Sequence, residues 1–327
     1  MKHCVRFNKS LVRAVLFSAT LLAGSAFASS IQGSFQRSYN VNGPVDLEAL
    51  TRSGDITIHS GPAGTVTIIG KINVADRWLV GDRHAMVSQI EQNPPIRQNG
   101  NSIHIDLLDG QGAAVRDHGI HMDYLDGRGI CVDYEITLPP ESAVRTESGS
   151  GDQRVEGMRG KLELRSGSGD MRLRNTGAVR VHTGSGDVEA LDISGTFAAE
   201  AGSGDIRVEG RGLGDVNVTT GSGNIELRGV KGALEAESAS GDVTVEGEQT
   251  GSWKMHTSSG NVELRLPDNA AFDLDASTGS GEIETGRQVV AMVQGKIGGS
   301  RSAISGKANG GGPQLTVHTG SGDIRIN

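Results

Sequence analysis

Cysteine is almost absent. Cys4 and Cys131 are the only two in 327 residues, so neither a disulfide framework nor a thiolate zinc site can be assembled. Aromatic residues make up only 3% of the chain, few for the exposed platforms on which sugar-binding grooves depend. No run after residue 28 is long and apolar enough to span a bilayer as a helix. Bases are also in deficit: the formal charge is -8, and the four bases before residue 28 come out of 31, leaving 27 against 39 acids, or -12. That balance argues against nucleic acid and anionic membrane surfaces as partners. The excess lies in glycine, with 49 residues, too many for an ordinary α/β enzyme. The Val, Leu and Ile content is too high for a disordered chain.

The first 28 residues carry Lys2, Arg6, Lys9 and Arg13, then an apolar run from Ala14 to Leu22, then Ala26-Phe27-Ala28. This order is a secretory signal with an A-x-A cleavage site, cut after Ala28; the run falls short of the roughly 18 residues of a spanning helix. Residues 1–28 are therefore assigned as a signal peptide. The mature chain is expected outside the cytoplasm, in the periplasm or secreted, with no transmembrane segment.

From about residue 140 one phrase returns: Gly149-Ser150-Gly151-Asp152, then corners at Gly169-Asp170, Gly186-Asp187, Gly204-Asp205, Gly223-Asn224, Gly241-Asp242, Gly260-Asn261, Gly281-Glu282 and Gly322-Asp323. From Asp152 to Glu282 the spacings are 18, 17, 18, 19, 18, 19 and 21 residues, the signature of a solenoid. Aligned on the corner residue, apolar side chains fall one and three positions after it (Ile206 and Val208, Ile225 and Leu227) and eight and six before it (Val216 and Val218, Trp253 and Met255). Both are period-two patterns, so each repeat holds two short strands with one buried face each. A small residue four positions before the corner, such as Thr220 or Ser238, continues the inward face into the turn. Glycine weakens a regular strand by about 0.5 to 1 kcal/mol relative to alanine, so its recurrence marks a corner of positive φ or close backbone approach. Equivalent columns recur at every second strand, which selects parallel stacking of whole coils over a hairpin stack. The expected fold is all-β: a single-chain parallel β-solenoid, or β-helix, of about 18 residues per coil.

The first coil lies far upstream, within residues 29–70. Leu47, Ala49 and Thr51 precede Ser53-Gly54-Asp55, and Ile56 and Ile58 follow in the same register. Residues 71–138 are an excursion, read as an insertion or N-terminal cap. Within it the sequence predicts a helix over Asp82 to Gln92, stopped by Pro94 and Pro95, and strands through Ile103, Ile105 and Leu107 and through Val132, Tyr134, Ile136 and Leu138. Residues 139–327 form the solenoid proper, interrupted near 295–312 by a glycine-rich stretch expected to be a loop or lid.

The Leu138-Pro139-Pro140 step into a Gly-Ser-Gly-Asp coil, its echo at Leu266-Pro267, the repeated phrase and the secretion signal together resemble bacterial β-strand-repeat domains of unknown function described as "putative adhesins", akin to the head-GIN type. The resemblance covers about Val41 to Asn327 and is weakest in the excursion. It implies a β-helical extracytoplasmic protein with an adhesive role and brings no catalytic residues or cofactor.

The corner residues offer two chemistries. A column of carboxylates about 4.8 Å apart could bind Ca²⁺. The nine-residue calcium phrase, however, needs a residue between Gly and Asp, which this chain lacks. The preferred role is structural: the Asx side chain accepts backbone N–H bonds, which Asn does as well as Asp. Two positions past the corner, Arg172, Glu189, Arg207 and Glu226 alternate in sign and should pair across coils on a solvated face. His118, His121 and Asp123, with His104 and Cys131 nearby, are the weak metal candidates: His-x-x-His-x-Asp could reach a metal, but its glycine-flanked setting assures no helix or strand to converge the groups. Cys131 lies out of phase with its strand's apolar face and is expected to be exposed.

The function read from these features is an exported, non-enzymatic, adhesin-like or cell-envelope interaction or scaffold protein. Its partner would be an envelope protein or glycan, and end-to-end self-association through an exposed last strand at Ile326-Asn327 is a further expectation. The alternatives are a polysaccharide-active β-helix enzyme and a calcium-dependent surface protein.

Overall fold

The computed structural model describes residues 31–74, 83–106, 130–286, 289–292 and 302–327. The alternation read from the sequence becomes two long sheets. Each coil contributes one strand to each: the strand before the glycine corner, such as Val216–Ser222, enters a 14-stranded sheet, and the strand after it, such as Ile225–Val230, a 13-stranded sheet. Successive coils pair in parallel with like over like: Leu162 lies on Val179, Val179 on Phe197, Phe197 on Val216 and Val216 on Leu234. The expected β-solenoid is therefore the observed fold. Leu164, Val181, Val208, Val218, Leu227, Val245 and Met255 all point into one continuous interior and are buried. At roughly 25 cal/mol per Å² of apolar surface removed from water, this stacked interior is the main favourable contribution to the fold.

The coil closes through two corners of different strictness. At the glycine corner φ lies between +143° and +157° at Gly151, Gly169, Gly186, Gly204, Gly223, Gly241, Gly260, Gly281 and Gly322. A Cβ at Gly204 would sit 2.2 Å from the carbonyl oxygen of Gly186 in the neighbouring coil, so any other residue meets both backbone strain and a clash with main chain. The second corner absorbs the variation in coil length. Register shifts occur there between Leu191 and Ile193, Glu209 and Leu213, and Arg228 and Val230, and Asn175 and Asp192 take left-handed conformations of their own.

One end of the stack is an antiparallel cap. Strand Ile31–Asn40 pairs with Thr65–Val74, which pairs with Ile130–Leu138, and the last of these lies parallel to Ile56–Ser60. On the other sheet Ser102–Asp106 lies parallel to Asp46–Ser53 and carries the outermost strand, Ile96–Asn99. The ring of Phe35 lies over Gly70 and meets Tyr134 edge-on at 6.3 Å. The helix predicted before Pro94 is present as Arg83–Gln92 and lies against Ile31–Asn40, an edge strand of the 13-stranded sheet. Ser34 N–H donates to Glu91 Oε1 at 2.9 Å, and the Arg37 guanidinium donates to the main-chain oxygens of Glu91 and Gln92. An edge that would otherwise offer unpaired groups is thereby partly covered.

The other end departs from chain order. The last coil in the sequence, Gln314–Ser321 and Ile324–Ile326, is not the last in space. It lies between the coil of residues 253–265 and the coil of residues 272–285, parallel to both. The expectation that Ile326 ends in an exposed strand is therefore corrected: Asn327 N–H donates to Leu264 O, and Asn327 O accepts from Leu266 N–H. The glycine-rich stretch is corrected in part as well. Residues 302–308 form strand Ser302–Ala308, antiparallel to Phe272–Ser280, because Ile304 and Ala308 alternate toward the core; it carries strand Val289–Met292 beyond it.

The two glycines of the repeated phrase should respond differently to a methyl group. Gly204→Ala is expected to lower stability by about 1–3 kcal/mol. Gly221→Ala should cost less: its Cβ would meet the Gly202 carbonyl oxygen at 2.6 Å, but its φ lies outside the left-handed region, and Ala239 and Ser258 already carry side chains at the same place in later coils. Urea unfolding midpoints followed by circular dichroism check the order; equal midpoints for the two variants would refute it.

Candidate interaction surface at the glycine corner

The corner turns the chain out of the strand, and its donors then face in two directions. Gly204 N–H donates to Ser222 O and Ile206 N–H to Asn224 O, both in the next coil. Asp205 N–H points back and donates to Asp187 Oδ1 at 2.9 Å. The same backward bond recurs throughout, at 2.7 to 3.1 Å, in a single file. In spatial order the file runs Asp133, Asp55, Asp152, Asp170, Asp187, Asp205, Asn224, Asp242, Asn261, Asp323, Glu282, each side-chain Oδ1 accepting from the N–H of the next. Asp and Asn are interchangeable here because both present an Oδ1 at the same reach. Glu appears only at Glu282, the end of the file, where the residue donates its N–H and, among the described residues, no further backbone N–H in the file draws on its side chain.

A column of like charges repels itself, and the surroundings relieve it. The two amides interrupt the file, and Arg172 reaches Asp170 Oδ2 at 3.0 Å and Asp152 Oδ2 at 3.7 Å. The alternating outward row pairs as its signs dictate, with Arg172 3.8 Å from Glu189 and Arg207 3.4 Å from Glu226. Behind the corner, the inward hydroxyls of Thr220, Ser238, Thr257, Thr278 and Thr319 donate to the corner glycine carbonyl of an adjacent coil. Nearer the cap, the hydroxyls of Ser148, Ser166 and Thr183 are buried without a hydrogen-bond partner among the described residues.

Two shallow grooves flank the corner. One, of about 350 Å³, follows the file past Asp170, Asp187 and Asp205, with Arg172, Arg207 and Glu226 beside it. The other, of about 510 Å³, runs across the opposite sheet, where Gly184, Gly202 and Gly221 present no side chain and His182, Glu200, Glu237 and His256 stand alongside. His182 Nδ1 lies 3.2 Å from Glu200. Lys254 bridges Glu235 and Glu237 at 2.8 and 3.0 Å, and these bonds raise its ammonium pKa above the usual range. Both grooves cross several coils; the first presents mainly polar surface, the second mainly apolar surface between its charged residues.

The remaining sequence candidates are dispersed. The signal segment and the cluster His118, His121 and Asp123 lie outside the described residues. His104 is on Ser102–Asp106 and pairs with Glu48 at 3.0 Å. Cys131 is buried at 4% exposure, against expectation. Its strand is interior to the sheet, with Asn73 opposite on one side and the Ser53 hydroxyl 3.5 Å from its Sγ. No group of three or more metal-ligating side chains comes together among the described residues. Trp253, Phe197 and Phe272 are fully buried; the Trp253 indole N–H donates to Gly232 O. Asp133 is not marked as a corner residue in the sequence because no glycine precedes it, although Tyr134 and Ile136 stand one and three positions after it, as the apolar pairs do in most coils.

Residues 135–327 match the family described as Toastrack DUF4097, and the chain belongs to that family. The β-repeat resemblance read from the corner phrase agrees with this membership. No curated protein matches the chain. Among solved structures it is similar to a "putative adhesin" from Bacteroides fragilis NCTC 9343, at 14% identity and a TM-score of 0.43, covering 90% of this chain and 98% of that one. It is also similar to a "putative cell adhesion protein" from Clostridium sporogenes ATCC 15579, at 13% identity and a TM-score of 0.22, with the same coverage.

The file makes a sharp demand on side-chain shape. Asp205→Asn is expected to leave stability unchanged. Asp205→Ala should lower it by about 1 kcal/mol, because the Asn224 N–H loses its acceptor. Glu282→Ala should be silent. A thermal melt of the three variants checks this, and a cost for Glu282→Ala equal to that of Asp205→Ala would contradict the ordering. Because each Oδ1 accepts a backbone N–H, calcium and chelator are expected to leave the melting temperature of the native chain where it is. A rise on adding calcium would mean that the outward Oδ2 atoms hold the ion.

Proposed function

We propose that this protein is an exported, non-enzymatic β-solenoid that acts as an adhesin-like or envelope interaction protein, offering its long ridged faces to a surface protein or glycan. The observation that carries the reading is the use of the corner acids. The groups best suited by number and spacing to act as paired catalytic carboxylates or calcium ligands accept main-chain N–H bonds along the stack. What is left for a partner is relief: two grooves crossing several coils, one edged by the alternating Arg172, Glu189, Arg207 and Glu226 and the other by His182, Glu200, Glu237 and His256, with the large aromatics turned inward. Such a surface suits an extended partner laid across the strands, held by many weak contacts rather than by one deep pocket. The basic, apolar and A-x-A order of the first 28 residues supports export.

Fractionation of the producing cells with N-terminal sequencing, followed by cross-linking in place, tests the reading. The mature chain should begin at Ser29, lie outside the cytoplasm and cross-link to an envelope protein or glycan. Charge reversal at Glu200, whose contact with His182 is exposed, should weaken the cross-link several-fold and move the melting temperature little. A full-length chain retained in the cytoplasm, or release of oligosaccharides from purified glycans by the purified protein, would overturn it.

A further inference from the structure

The coil of residues 314–326 reaches its place by an unusual route. The chain completes the 272–285 coil, runs out through Val289–Met292, returns through Ser302–Ala308 on the far side of Phe272–Ser280, and only then enters the gap between that strand and Trp253–Ser259. All of the coil's ladder bonds are therefore made to segments remote in sequence. Gly322 N–H donates to Ser280 O and Ile324 N–H to Glu282 O on one side; on the other, Ser321 O and Asp323 O accept from Gly260 and Val262. The corner file passes through it, from Asn261 Oδ1 to Asp323 N–H and from Asp323 Oδ1 to Glu282 N–H.

The gap recognises a coil by features that every copy of the chain carries. Leu315 and Val317 fall on Trp253 and Met255, Thr319 on Thr257, and Ile324 and Ile326 on Val262 and Leu264. The connection into it is a turn of five residues, Asn309-Gly310-Gly311-Gly312-Pro313. The first three of these have positive φ, at 48°, 91° and 89°, and they reverse the chain between the antiparallel strand and the parallel one. A glycine-rich reversal between a body and an element paired only to remote segments is the geometry of exchange between identical chains. We infer that the gap between the 253–265 and 272–285 coils accepts residues 314–327 of a second copy as well as those of its own chain, so that the protein assembles by exchange of this threaded coil. The inference is independent of export and of any outside partner.

The turn sets which of the two is favoured. Its ends stand on opposite sides of Phe272–Ser280, two strand spacings or about 10 Å apart. Deleting residues 309–312 leaves Pro313 alone, with a reach of about 7 Å. The full-length chain with that deletion is expected to elute as a dimer with the β-sheet circular dichroism of the parent. A monomer that melts with the parent would overturn the inference. Should the deletion aggregate, a second measurement decides. Lys254 and Thr316 face each other in register across the gap, at a parallel-strand spacing that a disulfide tolerates. Full-length Lys254→Cys and full-length Thr316→Cys are unfolded separately, mixed, refolded at high protein concentration and oxidised, with each variant alone as a control for Cys131. A covalent dimer containing one chain of each kind, absent from both controls, is the expected result. Monomers alone, at every concentration, would refute exchange, and dimers joined through any other surface would lack the 254–316 bond.

Discussion

The fold depends on one constraint, that each winding of the backbone lies directly over the previous one at about 4.8 Å. Once that holds, the strand ladders follow, but the corner poses a problem. A chain leaving one sheet for the other has an N–H that no backbone carbonyl meets. The structure solves it with a short oxygen-bearing side chain one winding back, repeated from Asp133 to Glu282. The corner is thus bonded forward by main chain and backward by side chain, which makes it part of the ladder rather than an interruption of it. The φ of the preceding glycine and the contact of about 2.1 Å that a Cβ there would make with the winding behind it are the conformational conditions for this arrangement.

The same constraint decides what the surface can be. Inward positions are filled chiefly by aliphatic groups, with the rings of Phe35, Tyr134, Phe197, Trp253 and Phe272 among them. Several polar groups that enter it are bonded at its margin, where the hydroxyls of Thr220 and Thr257 reach the glycine carbonyls, or to each other, as Thr146 is to Gln153 in the columns themselves. Burial raises the pKa of the Tyr134 phenol above its usual range, and its hydroxyl is left without a partner among the described residues. Outward positions repeat at the coil spacing whatever their identity, so the variable chemistry of the molecule is confined to rows. Exposed pairs in such rows contribute roughly 0 to 1 kcal/mol each, enough to favour one register and too little to fix a rigid site.

Much of this was legible because the signal is local and repeated. The columns headed by Met171, Ile206 and Val262 needed only alternation and a glycine punctuation mark, and the helix before Pro94 needed only its stop. Three features were not legible. Asp133 performs the corner's work without the glycine that advertises it. Cys131 breaks alternation and is still covered, since burial on the outer face of an interior strand depends on neighbours from other segments. The order of the last windings was the deepest miss. Residues 314–326 carry every column mark and would fit anywhere in the stack, so their marks do not encode which pair of windings they lie between; the antiparallel excursion through Ser302–Ala308 decides it.

That interchangeability bears on how such a rod changes length over generations. Any segment of one winding copied in tandem between Asp152 and Asn261 would inherit both its acceptor and its donor from its neighbours and leave all other bonds intact. The same copy placed after Thr285 would meet the antiparallel strands and a residue whose carboxylate is one methylene too long to continue the file. Elongation is thus open in the middle of the molecule and closed at the end where the wedge of residues 314–326 is seated.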